Sequence, residues 1–424
     1  MPRRQKTSIP VARVLSAALA GALSFGLAAC APEPMPVPTP TASETFAPQG
    51  DGVLTIGTLF PTTGAAAFLA RAQDAGVELA VREINEAGGV NGAPVVVYHR
   101  DSGDATTQKA EESFADLVGK KVDVIIGPSS SVLAERLLPK VIEAGVTMIS
   151  PSATSPALST LHDDGLLFRT IPSAALQGEA IAELAGAHDT IALLYYSDES
   201  GRAFRDAFVD ALGDDHPLAV LEGFTETTNS VDRMITAVTR ITPDFIVLAS
   251  PFSAMAKNKE LLTRLAAAKL AGSRLWLTSQ NLADYSQALP AGTLKDVNGL
   301  LEGFAPDDDF AKRIKSADPA VTDLRYAAEA YDATILAALA AIAANDDSGT
   351  AVARALPGTA SGGIKCTSFG ECVDVLRTMP DIDYDGVTGP LTFDEHGDLR
   401  SAEYGVYRYG GDNKYARVGT TTAH

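Results

Sequence analysis

Two hydroxyl-rich loops hold the residues of this chain best placed to do chemistry. Gly127-Pro128-Ser129-Ser130-Ser131 follows the apolar run 122–126 and precedes an amphipathic stretch. Three hydroxyls at a strand end, beside the free backbone N–H groups of a helix N-terminus, make a ready anion site. Serine is also a good N-cap, so helix capping is the plain alternative. Three serines exceed what one cap needs. Ser150-Pro151-Ser152-Ala153-Thr154-Ser155-Pro156 repeats the arrangement after the next strand, and its hydroxyls and carbonyls should lie beside the first cluster.

Catalysis has little support. The sequence has no G-x-S-x-G elbow, no H-E-x-x-H and no lone cysteine with a supporting histidine. His99 lies near Asp101 and could act as a base with an orienting carboxylate, but neither has an obvious nucleophile. A surface-loop histidine is the plain reading. Asp381-Ile382-Asp383-Tyr384-Asp385-Gly386 imitates the start of a calcium loop, yet its twelfth position is Thr392 rather than a bidentate glutamate. A solvated acidic loop is the expectation there, and no metal is expected elsewhere. The six histidines stand singly. The Thr62-Thr63-Gly64 turn is not a phosphate loop, which argues against a nucleotide and leaves no cofactor implied.

The elements that must position these loops follow from periodicity. Residues 53–60 are a short β-branched apolar run suited to a buried strand. Val77, Val81 and Ile84 then recur at helical spacing, Gly88-Gly89 ends the helix, and 95–98 begins a second strand. This is one β-α-β unit, with polar loops at the strand carboxyl ends where open parallel sheets bind ligands. Further strands are predicted at 122–126, 146–149, 190–195, 244–249 and 274–278. Helices are predicted near 106–119, 132–144, 174–186, 202–212, 231–240, 255–269 and 322–344. The alternation predicts an α/β fold of doubly wound layers, with too many strands for one sheet. Residues 168–172 read as a crossing between two sets. Asp394-Glu395-His396-Gly397-Asp398 reads as a hairpin turn with glycine at positive φ.

The N-terminus reads as a targeting segment. Arg3, Arg4, Lys6 and Arg13 precede an apolar stretch too short to span a bilayer, followed by Leu27-Ala28-Ala29-Cys30. That ending looks like a bacterial lipobox, in which the cysteine is acylated and becomes the mature N-terminus; an ordinary secretory signal is the alternative. Residues 31–50 are too proline-rich to pack a core and form an extended spacer. The apolar run 335–344 is too short to span. Outside the cytoplasm, the close pair Cys366 and Cys372 is expected to form a disulfide rather than a metal site. The formal charge of −19 over 424 residues becomes −23 without residues 1–29. Such a surface repels nucleic acid and anionic lipid, and an anionic ligand must be caught by local donors.

Six segments in order resemble the type I periplasmic binding proteins, especially the leucine/isoleucine/valine-binding branch that feeds ABC importers. They are IGTLFPTTG (56–64), INEAGGVNG (84–92), IIGPSSS (125–131), GVTMISPSAT (145–154), FRTIPS (168–173) and GPLTFDEHGDL (389–399). The resemblance runs from about residue 53 to the C-terminus. It implies two α/β lobes with mainly parallel sheets joined by a three-segment hinge. The lobes would be 53–172 plus 305–402 and 173–304 plus 403–424, after a signal at 1–29 and a linker at 30–52. The second crossing would fall near Glu302-Gly303-Phe304 and the third near 401–404.

In the resembled family the two hydroxyl loops grip an amino acid, and the matching positions are Ser131, Ser152, Ala153 and Thr154. Leu69 stands where an aromatic ring covers the ligand, and Ser200, before Gly201, where a tyrosine is usual. Pro251-Phe252 matches an aromatic site. Gln280 occupies the position of an acidic residue that pairs with the ligand ammonium, so a charge-assisted hydrogen bond is given up. The resemblance implies a monomeric, lipid-anchored extracytoplasmic binding protein that captures a small-molecule ligand, a branched-chain amino acid or related amide. Its partner would be an ABC permease. Rival readings are a tethered sensor signalling to a membrane receptor or kinase, and an extracytoplasmic α/β enzyme.

Overall fold

The structure, a computed structural model, describes residues 49–423 except 65, 215, 228–230, 252–253 and 303–307. The expected signal segment, Cys30, most of the linker, Phe252, Gly303 and Phe304 lie outside the described residues.

Five strands, β1 (Thr55–Phe60), β2 (Val96–Asp101), β3 (Val124–Ile126), β4 (Thr147–Ser150) and β5 (Leu167–Arg169), form an all-parallel sheet in the order β2-β1-β3-β4-β5. Between them run α1 (Ala67–Glu86), α2 (Lys109–Gly119) and α3 (Ser131–Ala144). Parallel strands need such crossovers, and strands covered on both faces read as continuous apolar runs; Val124, Ile125 and Ile126 are all fully buried.

After β5 the chain passes into a second sheet. Its elements are α4 (Ala174–Ala185), β6 (Ile191–Tyr196), α5 (Glu199–Leu212), β7 (Val220–Phe224), α6 (Val231–Ile241), β8 (Phe245–Ala249), α7 (Met255–Ala267), β9 (Leu275–Leu277) and β10 (Asn298–Glu302). The chain then returns to the first layer with α8 (Asp308–Ala317), α9 (Ala327–Ala344) and α10 (Gly349–Thr359). Strand β11 (Ile364–Cys366), α11 (Phe369–Leu376), β12 (Ile382–Gly386) and β13 (Gly389–Pro390) add a small three-stranded sheet. Finally β14 (Ala402–Tyr409) and β15 (Tyr415–Ala423) complete the second sheet, in the order β15-β14-β10-β9-β8-β6-β7. Strand β14 is antiparallel to both neighbours, with Glu302 opposite Tyr404.

Helix α9 is the core of the first lobe. It is long and apolar enough to cross a membrane, but fifteen of its eighteen residues are buried inside the fold. It starts at Ala327, eight residues before the apolar run noted in the sequence. Gly76 of α1 faces it so closely that a Cβ there would stand 2.2 Å from the Ala327 carbonyl oxygen. Only glycine permits that approach.

Three sequence expectations resolve here. Cys366 and Cys372 are disulfide-bonded and buried, tying β11 to α11. The hairpin turn at 394–398 forms, with Gly397 at φ +71° and its carbonyl accepting from Arg169 N–H at 2.9 Å. The acidic run 381–386 is not a loop: residues 382–386 are β12, and Lys365 lies 3.2 Å from Asp383 and 2.9 Å from Asp385. Alternation along a strand puts those two aspartates on one face, where a lysine on the parallel neighbour neutralises them. Among the described residues no group of His, Cys, Asp or Glu is arranged to hold a metal ion.

Candidate functional site

Strands β3 and β4 run side by side with Ile126 opposite Ile149, so the loops that leave their carboxyl ends abut. Gly127 sits at φ +121°, with the Leu59 carbonyl 2.6 Å from where a Cβ would be, which excludes any other residue. Ser150 Oγ donates to the Pro128 carbonyl at 2.7 Å and accepts from Ala153 N–H at 3.0 Å. Ser129 Oγ and Ser152 Oγ both donate to Gln73 Oε1, at 2.9 and 3.1 Å. Ser131 Oγ accepts from Ser155 N–H at 3.1 Å. Ser130, the N-cap of α3, makes no side-chain cap bond. The serines knit the two loops to each other and to α1, and the helix N-terminus keeps its unpaired donors.

Behind the second loop lies a buried ion pair. Arg169, fully buried, donates through Nε to Asp398 Oδ1 at 2.5 Å and through a terminal nitrogen to Asp398 Oδ2. Its other donors reach Ser159 Oγ at 2.9 Å and the carbonyls of Ser155 and Ala153 at 2.8 and 3.3 Å. Ala174 N–H takes the Thr154 carbonyl at 2.8 Å. All three carbonyls of 153–155 are therefore held by donors of the fold, which fixes the backbone of the loop.

The facing wall comes from the carboxyl ends of β6, β8 and β9. A cavity of about 20 Å³, room for roughly one water, is lined by Ala174, Gln177, Asp198, Ser200, Gly201, Phe204, Ala249, Ser250, Pro251, Thr278 and Gln280. The turn bearing Gln280 is rigid. Asn281 donates to the Leu248 carbonyl at 2.8 Å and to Ser250 Oγ at 3.0 Å, and Ser250 Oγ donates to Asn258 Oδ1 at 2.5 Å. Across the cleft, Gln280 Nε2 donates to Thr154 Oγ1 at 3.3 Å. That hydrogen bond joins the two lobes directly.

The structure brings Ser200, Gly201 and Gln280 to one cavity and sets Thr154 against Gln280. Ser131, Ser152 and Ala153 stand behind Thr154 in the abutting loops. Leu69 lies apart from that cavity, in the first turn of α1; the ring of its neighbour Phe68 has Arg325 5.0 Å above its centroid. His99 is a strand residue, not a loop one: it sits within β2 and pairs with Asp74 and Glu78 of α1, at 3.0 and 2.5 Å, rather than with Asp101. Those two carboxylates raise its pKa to about 9. Asp101 instead accepts from the N–H groups of Thr62, Thr63 and Gly103.

Sequence reading missed Gln73, Gln177, Asp198 and Glu302. The polar Gln73 breaks the apolar face of α1, a signal that was available. Gln177 Nε2 donates to Glu302 Oε2 at 3.4 Å, and Ser279 Oγ donates to Gln177 Oε1 at 3.4 Å. Burial raises the pKa of Glu302. Burial also raises that of Glu329, to about 8, with Asp332 and Glu302 adding like charge.

Residues 53–412 match the family model described as periplasmic binding protein. The chain belongs to the periplasmic binding protein family. It is 29% identical over 354 residues to the chemotactic signal transduction system substrate-binding protein BasB of Halobacterium salinarum, covering 79% of this chain and 82% of that one. It is 26% identical over 361 residues to the leucine-, isoleucine-, valine-, threonine- and alanine-binding protein of Pseudomonas aeruginosa, covering 82% and 88%. The fold is that of the substrate-binding protein LivJ of Streptococcus pneumoniae, solved in complex with isoleucine, with a TM-score of 0.66 at 19% identity over 88% of this chain and 99% of that one. These are solute-binding proteins, not enzymes.

Proposed function

We propose that this periplasmic binding protein is an extracytoplasmic lipoprotein, anchored to the cell membrane through Cys30, that delivers a small carboxylate-bearing solute to an ABC permease. A branched-chain amino acid or a related amide is the first class of solute, in keeping with what the Pseudomonas aeruginosa relative is named for. The observation that carries the reading is the Gln280–Thr154 hydrogen bond. The two residues offered as ligand contacts on opposite lobes already meet, so a solute between them replaces a weak neutral contact with several of its own. The carboxylate goes to Ser131, Thr154 and the open N-terminus of α3; Ser200, Gly201 and Gln280 face the other end. A ligand touching both lobes stabilises the closed form by its differential affinity, and the closed shape is what a permease recognises.

Calorimetry with leucine, leucinamide and 4-methylpentanoate tests the site. Thr154→Ala should weaken the tightest of them by about 1–3 kcal/mol, as for loss of a hydrogen bond to a charged group. Unchanged affinity for every tight ligand would show the site to be elsewhere. The BasB relative favours a second reading, in which the same closure is reported to a signalling receptor. Loss of labelled-solute uptake on deleting the gene supports import, and loss of taxis with intact uptake supports sensing.

A further inference from the structure

The cavity in the second-lobe wall has one ionisable side chain among its described lining residues, Asp198. It is the N-cap of α5, and its Oδ1 accepts from Gly201 N–H at 2.8 Å. That uses one oxygen. No described residue donates to the other or forms an ion pair with this carboxylate, though a carboxylate has capacity for several donors.

The surroundings lean the same way. Gln177, also lining the cavity, donates its NH2 to Glu302. Its carbonyl oxygen is left toward the Ser279 hydroxyl. Glu302 is buried and has no cation beside it among the described residues. This wall therefore has carboxyl groups at its rim and behind it, and among its described lining residues there is no cation. Asp198 is half-buried, and a carboxylate partly withdrawn from water with no counter-charge gains from a cationic partner.

We propose that Asp198 is the partner of a positively charged nitrogen on the ligand, the role that the neutral Gln280 leaves open. The solute is then a zwitterion, its carboxylate held by the first lobe and its ammonium by Asp198, rather than an amide or a simple acid. This rests on the solute-binding reading above and narrows it.

The test compares leucine with 4-methylpentanoate, which lacks the ammonium, on the wild type and on Asp198→Asn. Asparagine caps helices as well as aspartate does, so α5 stays intact and only the charge goes; Asp198→Ser, another good cap, is the second variant should the first misfold. Wild type should prefer leucine. In the variant, leucine affinity should fall about tenfold or more, as for loss of a charge-assisted hydrogen bond, while 4-methylpentanoate binds as before. Equal losses for both compounds would mean that Asp198 acts only through α5, and no loss for leucine would mean that the ammonium sits elsewhere; either overturns the assignment alone. A wild type that binds neither compound overturns the solute class and this assignment with it.

Discussion

Replacing Asp398 by alanine should be among the most damaging single changes in the first lobe. Arg169 has no exposed surface, and Asp398 takes two of its donors and that of Ser159, at 2.5 Å. Removing the carboxylate leaves a buried guanidinium whose remaining partners are two carbonyls and one hydroxyl. Breaking a buried pair in this way costs about 3–5 kcal/mol, which for a lobe of this size lowers the melting midpoint by on the order of 10 °C. Because Arg169 also holds the carbonyls of Ala153 and Ser155, amides 150–160 should lose hydrogen-exchange protection first, and solute affinity should fall with them. The double change Arg169→Met with Asp398→Leu removes both charges and should recover much of the stability, since an apolar pair avoids the desolvation penalty. A single variant melting within about 1 °C of wild type, or a double variant worse than the single, would refute the reasoning.

Stability should also depend on His99. Its folded pKa, about 9 against 6.5 unperturbed, means the imidazolium's contribution is fully present below pH 6.5 and lost as pH rises through 9. His99→Gln should flatten that part of a melting-versus-pH profile, and an unaltered profile would sink the idea. The Cys366–Cys372 link closes a short loop and should contribute about 2 kcal/mol; denaturant midpoints with and without reductant measure it, and two alkylatable thiols in the unreduced fold would disprove it. Gly76→Ala pushes a methyl into the Ala327 carbonyl and should cost about 1–3 kcal/mol by forcing α1 from α9, read as a lowered midpoint in urea.

Much of the fold was legible because its strands are buried runs. The predicted segments at 122–126, 190–195 and 244–249 coincide with β3, β6 and β8 within two residues at either end. Strand β7 was missed: its VLEGF pattern lies at a sheet edge, with Leu221 exposed and Glu222 half-buried, and carries no continuous apolar signal. The short β11 and the acidic β12 escaped for a related reason, since charge pairing with Lys365, invisible in sequence, makes that strand tolerable. At the site, hydroxyls at strand ends were readable as a type of loop. Their use was not, because bonds such as Ser129 to Gln73 span 56 positions. Asp198 was hidden differently. An aspartate ahead of a helix looks like a cap, and it is one; only the cavity beside it gives its second oxygen another meaning.

The weaving of the chain between its two sheets also sets a timetable. A polypeptide made from its N-terminus completes all five strands of the first sheet by residue 169, yet the helix that fills that lobe's core ends only at residue 344. Strand β10 finds its outer neighbour only when β14 is made, beyond residue 402. Arg169, fully buried, also waits for its charge: Asp398 follows 229 residues later. At roughly 5–20 residues per second of synthesis, neither lobe can close for many seconds after its first strand appears. The nascent chain stays open over that interval, which is the state in which a polypeptide can be threaded through a membrane before it folds.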